Sequence, residues 1–300
     1  MLRPFALYQA ATLAEASDVL AREGSDAAIY AGGTELLLVM KAGLSRVAHL
    51  VDVKGVPGLA AIAAENGHVA VGATATHRTV EHDAIVRARC PLVGRVARHV
   101  ANVRVRNVGT VGGNLAFADP HSDLATVFLT FDATLRLASR RGERTLALAE
   151  FVRGAYETAR EEDEILTAVR LTPWPANTAG AYAKFGVHER PTLGVAVALT
   201  VSNGGVAGAR LAVGCVGPRP RRVPAAEERL RGRSLADVER HADEIGAVVA
   251  AETEPVDDLH GSAEYKRDMT RVFVKRALLV AAARADGREI AARHPHTVIV

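Results

Sequence analysis

Ala31-Gly32-Gly33-Thr34-Glu35-Leu36-Leu37 and Gly109-Thr110-Val111-Gly112-Gly113-Asn114 decide how this chain reads. Each motif pairs glycines after residues that read as a strand or an extended segment. Glycine permits positive φ and carries no Cβ, so successive backbone N–H groups can line an anion-binding concavity. Either motif alone is compatible with a plain tight turn. Two together suit a diphosphate.

Upstream of the first motif, Thr12-Leu13-Ala14-Glu15 followed by Val19, Leu20 and Gly24 reads as a capped amphipathic helix closed by glycine. Ala27 to Tyr30 is a short strand, and Glu35 to Ala42 a helix ended by Gly43. Strand, glycines and helix thus stand in the order an anion site requires. His49 to Val53 is another strand, after which Val56-Pro57-Gly58 breaks the pattern. A first lobe spans residues 1–57.

A second lobe, residues 58–175, opens with strands Leu59 to Ala64 and His68 to Gly72 about an Asn66-Gly67 turn. Pro91 to Ala101 reads as a helix with Leu92, Val93, Val96 and Val100 on its apolar face. Ser122 caps a helix from Asp123 to Phe131. Ala133 to Ser139 and Thr145 to Ala149 form a hairpin about Arg140-Arg141-Gly142-Glu143, and Glu164 to Leu171 is the last strand. Pro173-Trp174-Pro175-Ala176-Asn177 reads as a linker.

Residues 176–300 follow as a third unit. Ala181 to Val187, Leu193 to Ser202 and Val206 to Val216 read as an antiparallel meander, with Asn203-Gly204-Gly205 as a turn. Helices Val223 to Leu230, Ser234 to Ala251 and Ser262 to Ala285 come next, with Ser234 and Ser262 at N-cap positions. Strands followed by helices give an α+β class.

Composition excludes more than it assigns. The formal net charge is +3, but only five lysines occur among 37 basic residues and no aromatics interleave with them, so a nucleic-acid partner is not expected. Cys90 and Cys215 are isolated, which leaves neither a disulfide framework nor a cysteine-ligated cluster to be read, and a reducing, cytoplasmic setting is expected. No apolar run is long enough to span a membrane. A G-x-G-x-x-G fingerprint, a Gly-Lys P-loop, a His-Glu-x-x-His pair and a nucleophile elbow are all missing, and no metal-ligating or catalytic set emerges.

Several side chains are candidates beside the two motifs. Thr34, Thr110 and Asn114 add hydrogen-bonding groups. Glu35 opposes a diphosphate by charge but suits the first turn of a helix, where it points away from the ligand. His77 and His121 sit beside helix starts, where capping is the plainer role. Asp123 follows the second motif closely enough to fold back on it or to serve its own helix. Lys184, in Tyr182-Ala183-Lys184-Phe185, faces either a cleft between units or solvent on an edge strand. The basic stretch Arg219 to Arg222, with Arg229, Arg231 and Arg233, is a solvated face or a docking surface.

With both motifs, Gly72-Ala73-Thr74-Ala75-Thr76-His77 and Thr110-Val111-Gly112-Gly113-Asn114-Leu115-Ala116-Phe117-Ala118-Asp119-Pro120 laid out, the chain resembles the FAD-binding medium subunit of molybdenum hydroxylases. Tyr182-Ala183-Lys184-Phe185, Cys215-Val216-Gly217-Pro218-Arg219-Pro220 and Gly261-Ser262-Ala263-Glu264-Tyr265-Lys266-Arg267 are similar to that family's C-terminal signatures. The resemblance runs almost end to end. It implies a two-lobed FAD-binding domain of the vanillyl-alcohol oxidase type, followed by a C-terminal antiparallel sheet with helices. It further implies that Ile29, Tyr30, Ala31, Gly32, Gly33, Thr34, Glu35 and Leu36, with Thr110, Val111, Gly112, Gly113 and Asn114, surround the diphosphate and ribityl chain. Ala101, Asp123, Leu166 and Lys184 match further FAD-contacting positions, and Tyr182 falls near the isoalloxazine ring.

By the same resemblance a large partner carries a molybdenum cofactor and a small partner two [2Fe-2S] clusters, in a dimer of heterotrimers, while FAD here passes electrons to an external acceptor. Val103 and Arg104 stand where the family often has proline and a glutamine-like residue. The iron–sulfur insertion of the hydroxybenzoyl-CoA reductase branch is missing, and two cysteines could not ligate such a cluster. Two other readings stay open at this point: a self-contained flavin reductase or oxidase, and an assembly subunit that has lost its flavin.

Overall fold

Side-chain caps and glycines divide the chain into short elements. The computed structural model describes residues 2–186, 190–290 and 294–300. Strand β1 (Ala6–Gln9) leads to helix α1 (Leu13–Glu23), where the Thr12 hydroxyl accepts from the Glu15 amide and the Glu15 carboxylate accepts from the Ala11 amide. Gly24, at φ 54°, ends α1. Strand β2 (Ala27–Tyr30), helix α2 (Leu36–Lys41) and strand β3 (His49–Asp52) complete a parallel sheet of order β1-β3-β2. Ala16, Leu20, Val51 and Val53 fill its small core.

Strands β4 (Ile62–Glu65) and β5 (His68–Gly72) form a hairpin in which Asn66 and Gly67 both take positive φ, as the tight two-residue turn requires. Six short helices follow: α3 (His77–His82), α4 (Ala84–Arg89), α5 (Pro91–Ala97), α6 (Val103–Val108), α7 (Val111–Phe117) and α8 (Asp123–Leu129). Strands β6 (Thr134–Ser139) and β7 (Gly142–Ala147), helix α9 (Leu148–Phe151), the ribbon of β8 (Val152–Gly154) with β9 (Glu157–Thr158), and β10 (Ile165–Leu171) close the unit. Its antiparallel sheet has the order β4-β5-β10-β6-β7.

The segment expected as a linker is pinned. Trp174 stacks on Phe131 with ring centroids 4.3 Å apart, and its indole N–H donates to the Thr130 carbonyl. Beyond it, β11 (Thr178–Phe185), β12 (Leu193–Ser202), β13 (Gly205–Gly214) and β14 (Arg221–Arg222) precede α10 (Pro224–Leu230), α11 (Leu235–Glu252) and α12 (Ala263–Ala285). Ser234 and Ser262 cap the last two helices as read. Strand β15 (Thr297–Ile299) returns to pair with β11, giving the order β14-β13-β12-β11-β15. Val197, Leu211, Ile245, Phe273 and Leu278 pack between this sheet and the helices.

The α+β arrangement is the expected one, with local differences. The helix from Pro91 stops at Ala97 rather than Ala101, where Ala101 takes φ 41°. The second glycine motif follows helix α6 rather than a strand, because Asn102 accepts from the Arg104 and Val105 amides and starts a helix at Val103. The expected strand end at Val187 lies outside the described residues. The basic stretch is partly consumed by ion pairs, Arg221 with Glu254 and Arg222 with Glu227 in its own unit, and Arg222 with Asp132 in the second lobe.

Helices α11 and α12 cross closely at Gly246, where a Cβ would lie 2.5 Å from the Arg271 carbonyl oxygen. Gly246→Val is expected to cost about 1–3 kcal/mol through overpacking. Urea denaturation should show a lower midpoint with unchanged slope.

Candidate functional site

Gly32 brings the two glycine motifs together. A Cβ on it would lie 2.3 Å from the Val108 carbonyl oxygen and 2.9 Å from the Gly109 Cα, so only glycine lets the two main chains touch. Gly33 takes φ 69°, and a Cβ there would meet the Tyr30 ring at 2.6 Å. Beneath the loop, the Lys54 ammonium sits 4.0 Å from the Tyr30 ring centroid, pairs with Asp52 and donates to the Ala31 carbonyl. Tyr30 is therefore a floor for the loop.

The two motifs offer different things to a ligand. The amides of Gly32, Gly33, Thr34, Glu35 and Leu36 have no hydrogen-bond partner among the described residues. Those of the second motif are mostly engaged: Val111 donates to the Ala75 carbonyl, Gly112 to the Ala73 carbonyl, Gly113 to the Thr110 hydroxyl and Asn114 to the Thr110 carbonyl. Only Thr110 keeps an unengaged amide there. The expectation of two equivalent cradles of bare N–H groups is corrected accordingly. Gly112 serves packing, since a Cβ on it would lie 2.5 Å from the Ala73 Cβ.

Between the motifs lies a cavity of about 300 Å³. Of the residues expected at a cofactor, Ile29, Ala31, Gly32, Gly33, Thr34, Glu35 and Leu36 line it, as do Ala101, Thr110, Gly112, Gly113, Asn114, Asp123 and Leu166. Tyr30, Val111 and Lys184 stand outside the lining. Val111 is fully buried in the core. Lys184 lies one layer back, donating to Asp123 Oδ2 at 2.7 Å and to the His99 carbonyl at 2.9 Å. The Tyr182 hydroxyl also donates to Asp123, at 2.8 Å, so neither β11 side chain reaches the cavity.

Sequence spacing gave no sign of Arg190. It pairs with Glu35 at 2.7 Å and with Asp119 at 2.6 Å, and so joins both lobes from the third unit. Glu35 accordingly faces the cavity instead of pointing away. Burial raises its carboxyl above the usual range against the opposing charge of Arg190. Burial also pushes the Asp119 carboxyl upward, but hydrogen bonds from His121 and the charge of Arg190 hold it below its ordinary value. His121 joins the lining, its ring between Asp119 and Asp258 at 3.1 and 3.2 Å. His77, nearly fully buried, also lines the cavity, and burial with the nearby Arg106 charge lowers it to about 4. Among the described residues no cluster could hold a metal ion.

A dinucleotide with acceptor-only diphosphate oxygens, hydroxyls and a flat ring fits this lining: a row of free amides, a fixed carboxylate at Asp123, and apolar walls from Ile29, Val53, Val100 and Val105. Comparison with known proteins agrees. Residues 3–175 match the FAD binding domain in molybdopterin dehydrogenase, and residues 182–281 the CO dehydrogenase flavoprotein C-terminal domain. The chain belongs to this family of FAD-binding subunits of molybdopterin dehydrogenases, which are oxidoreductases. It is 33% identical to the carbon monoxide dehydrogenase medium chain of Hydrogenophaga pseudoflava, over 93% of this chain and 98% of that one. Identity to a putative xanthine dehydrogenase FAD-binding subunit of Escherichia coli K12 is 31%, over 95% and 98%. In three dimensions it is similar to a carbon monoxide dehydrogenase chain from Hydrogenophaga pseudoflava, with TM-score 0.91, 34% identity and coverage of 95% and 99%. No helix among the described residues is long and apolar enough to cross a membrane.

Two outcomes follow from the buried groups. Lys184→Met leaves Asp123 buried without its cation and is expected to destabilise the fold by about 3–5 kcal/mol, read from urea titration. His77 binds its proton more weakly folded than unfolded, so its contribution is complete above the unfolded value near 6.5 and is lost as pH falls toward about 4. The loss amounts to about 3 kcal/mol at most, and His77→Gln should flatten that part of the stability–pH curve.

Proposed function

We propose that this chain is the flavin-carrying electron-transfer subunit of a three-part molybdenum hydroxylase in the cytoplasm. The observation that carries the reading is the row of five unengaged amides from Gly32 to Leu36, on residues that line a cavity shared with Thr110, Gly112, Gly113 and Asn114. In this reading a small subunit with [2Fe-2S] clusters delivers electrons drawn from substrate at the molybdenum cofactor of a large subunit. An external acceptor takes them away, and the assembly is a dimer of heterotrimers. Residues 1–57 and 58–175 form the two cofactor lobes, and residues 176–300 close over them.

FAD, when bound, supplies the exchange between one-electron and two-electron transfer. The chain binds and orients it. The amides of Gly32 to Leu36 take the diphosphate, and the ion pair of Asp123 with Lys184 holds an acceptor-only carboxylate toward the cavity. Arg190 neutralises Glu35 and Asp119, which relieves their repulsion toward the diphosphate. No nucleophile is required, and both cysteines are inert: burial pushes Cys90 up to about 12 and Cys215 well above its usual value.

Purified chain should be yellow, and co-expression with the large and small subunits should return a three-part complex. Gly32→Ala, which drives a Cβ into the Val108 carbonyl, and Gly113→Val, which crowds the Thr110 cap, should lose most bound FAD. Full flavin occupancy in Gly113→Val would remove the second motif from the cofactor site. Substrate turnover by the isolated chain would favour the self-contained reductase or oxidase instead.

A further inference from the structure

One cation on the cavity wall has no counter-charge. Arg160, half-buried in the turn that leads into β10, lines the cavity. Its Nη1 donates to the carbonyls of Glu161, Glu162 and Glu164, whereas Nε and Nη2 have no partner among the described residues. Unlike the sealed and equally unpaired Nε of Arg106, both keep accessible surface. Neighbouring carboxylates are spent elsewhere, Glu164 on Arg144, and Glu161 and Asp163 on Arg141. Burial works against the guanidinium charge and lowers its pKa from the ordinary value, with Glu164, Glu162 and Asp163 opposing only in part. A charge drawn out of water without a partner is costly, so the wall calls for an acceptor on the ligand.

That acceptor is not the diphosphate. Strand β2 is extended and runs about 10 Å from Ala27 to Tyr30, at about 3.3 Å per residue, and the amide row begins beyond its far end. Arg160 belongs to the near end. Ile165, which follows its last carbonyl anchor, packs with Ala27 and Ile29, and a Cβ on Gly24 would lie 4.0 Å from Glu162 Oε2. The walls beside it, Ala28, Ile29, Val53, Ile165 and Leu166, are apolar. Apolar walls with one unpaired cation suit a flat ring whose edge carries acceptors.

We propose, resting on the flavin-binding reading above, that Arg160 directs Nε and Nη2 at the carbonyl-bearing pyrimidine edge of the isoalloxazine ring and favours the reduced form of the flavin. Two electrons and one proton entering the ring leave one negative charge, centred on N1 beside the C2 carbonyl. A fixed guanidinium stabilises that state more than the neutral oxidised one. Adenine fits less well, because it has no carbonyl oxygen and stays neutral in both redox states. The planar fork of arginine also matches two neighbouring acceptors, which a lysine would meet only as a point charge. Three carbonyls hold Nη1, so the fork is preset before the charge arrives.

The full-length flavin-loaded chain is equilibrated with a reference dye to read its midpoint potential. FAD affinity is read by fluorescence quenching of the stripped chain, and stability by urea. Arg160→Gln keeps a donor for the turn carbonyls but removes the charge. It should lower the potential by about 30 mV, the two-electron equivalent of a tenfold loss of preference for reduced over oxidised flavin. Arg160→Met, which fills the space with an apolar chain, should show the same shift, so the charge is tested even if one of the two folds poorly. Arg160→Lys should keep most of the wild-type potential. A role confined to the turn would lower the urea midpoints of Arg160→Gln and Arg160→Met, leave the potential where it was, and overturn the proposal. Weaker FAD binding with an unmoved potential would put adenine beside Arg160 and overturn it too. A wild-type chain that takes up no FAD would instead sink the cofactor-binding reading, and the assignment of Arg160 with it.

Discussion

Gly32 lies against the Val108 carbonyl and the Gly109 Cα with no room for a side chain. That contact between main chains sets the spacing of the cavity walls. From it follow the position of the amide row at Gly32 to Leu36 and the course of the second motif into helix α7. The parallel sheet and helix α7 belong to different cores, and Ile165 of β10, packed into the first lobe's core, with Arg140 bonded to Ser17 and Asp18, holds the rest of the junction. Tyr30 under the loop, held by Lys54, and Ala73 against Gly112 complete the support.

Asp123 plays the corresponding part where the third unit meets the second lobe. It stands at the start of α8, behind the Ser122 cap, and receives both the Tyr182 hydroxyl and the Lys184 ammonium from strand β11. Replacing the cavity-facing carboxylate would strand two buried donors on β11. The same residue thus ties a structural junction to the cofactor site, which makes the position of the third unit part of the site's geometry. Arg190 adds a second tie, more exposed and wholly electrostatic.

Much of the fold could be read from local chemistry. Thr12, Ser122, Ser234 and Ser262 cap their helices as spacing predicts, and Asn66-Gly67 forms its hairpin turn. What escaped were short elements with weak periodicity. Strand β1 and helices α3, α4, α6 and α7 have too few residues to show a repeat, and β15 pairs across more than a hundred residues of sequence. Of the site, the first motif, Asp123 and Leu166 were placed in the lining, whereas Lys184 and Tyr182 proved to stand behind it.

The sequence by itself determined where the backbone can come close, because a missing Cβ is a local property: Gly32, Gly33, Gly112 and Gly113 are legible as such in any context. Only the tertiary structure decided which amides remain free. Carbonyls of Ala73 and Ala75, supplied by a loop from another part of the chain, consume those of Gly112 and Val111 and leave the row from Gly32 to Leu36 unengaged. Likewise Glu35 was visible, but its cation, Arg190, comes from 155 residues away. Hydrogen bonding and ion pairing depend on what lies nearby in space, and spacing along the chain carries no record of that.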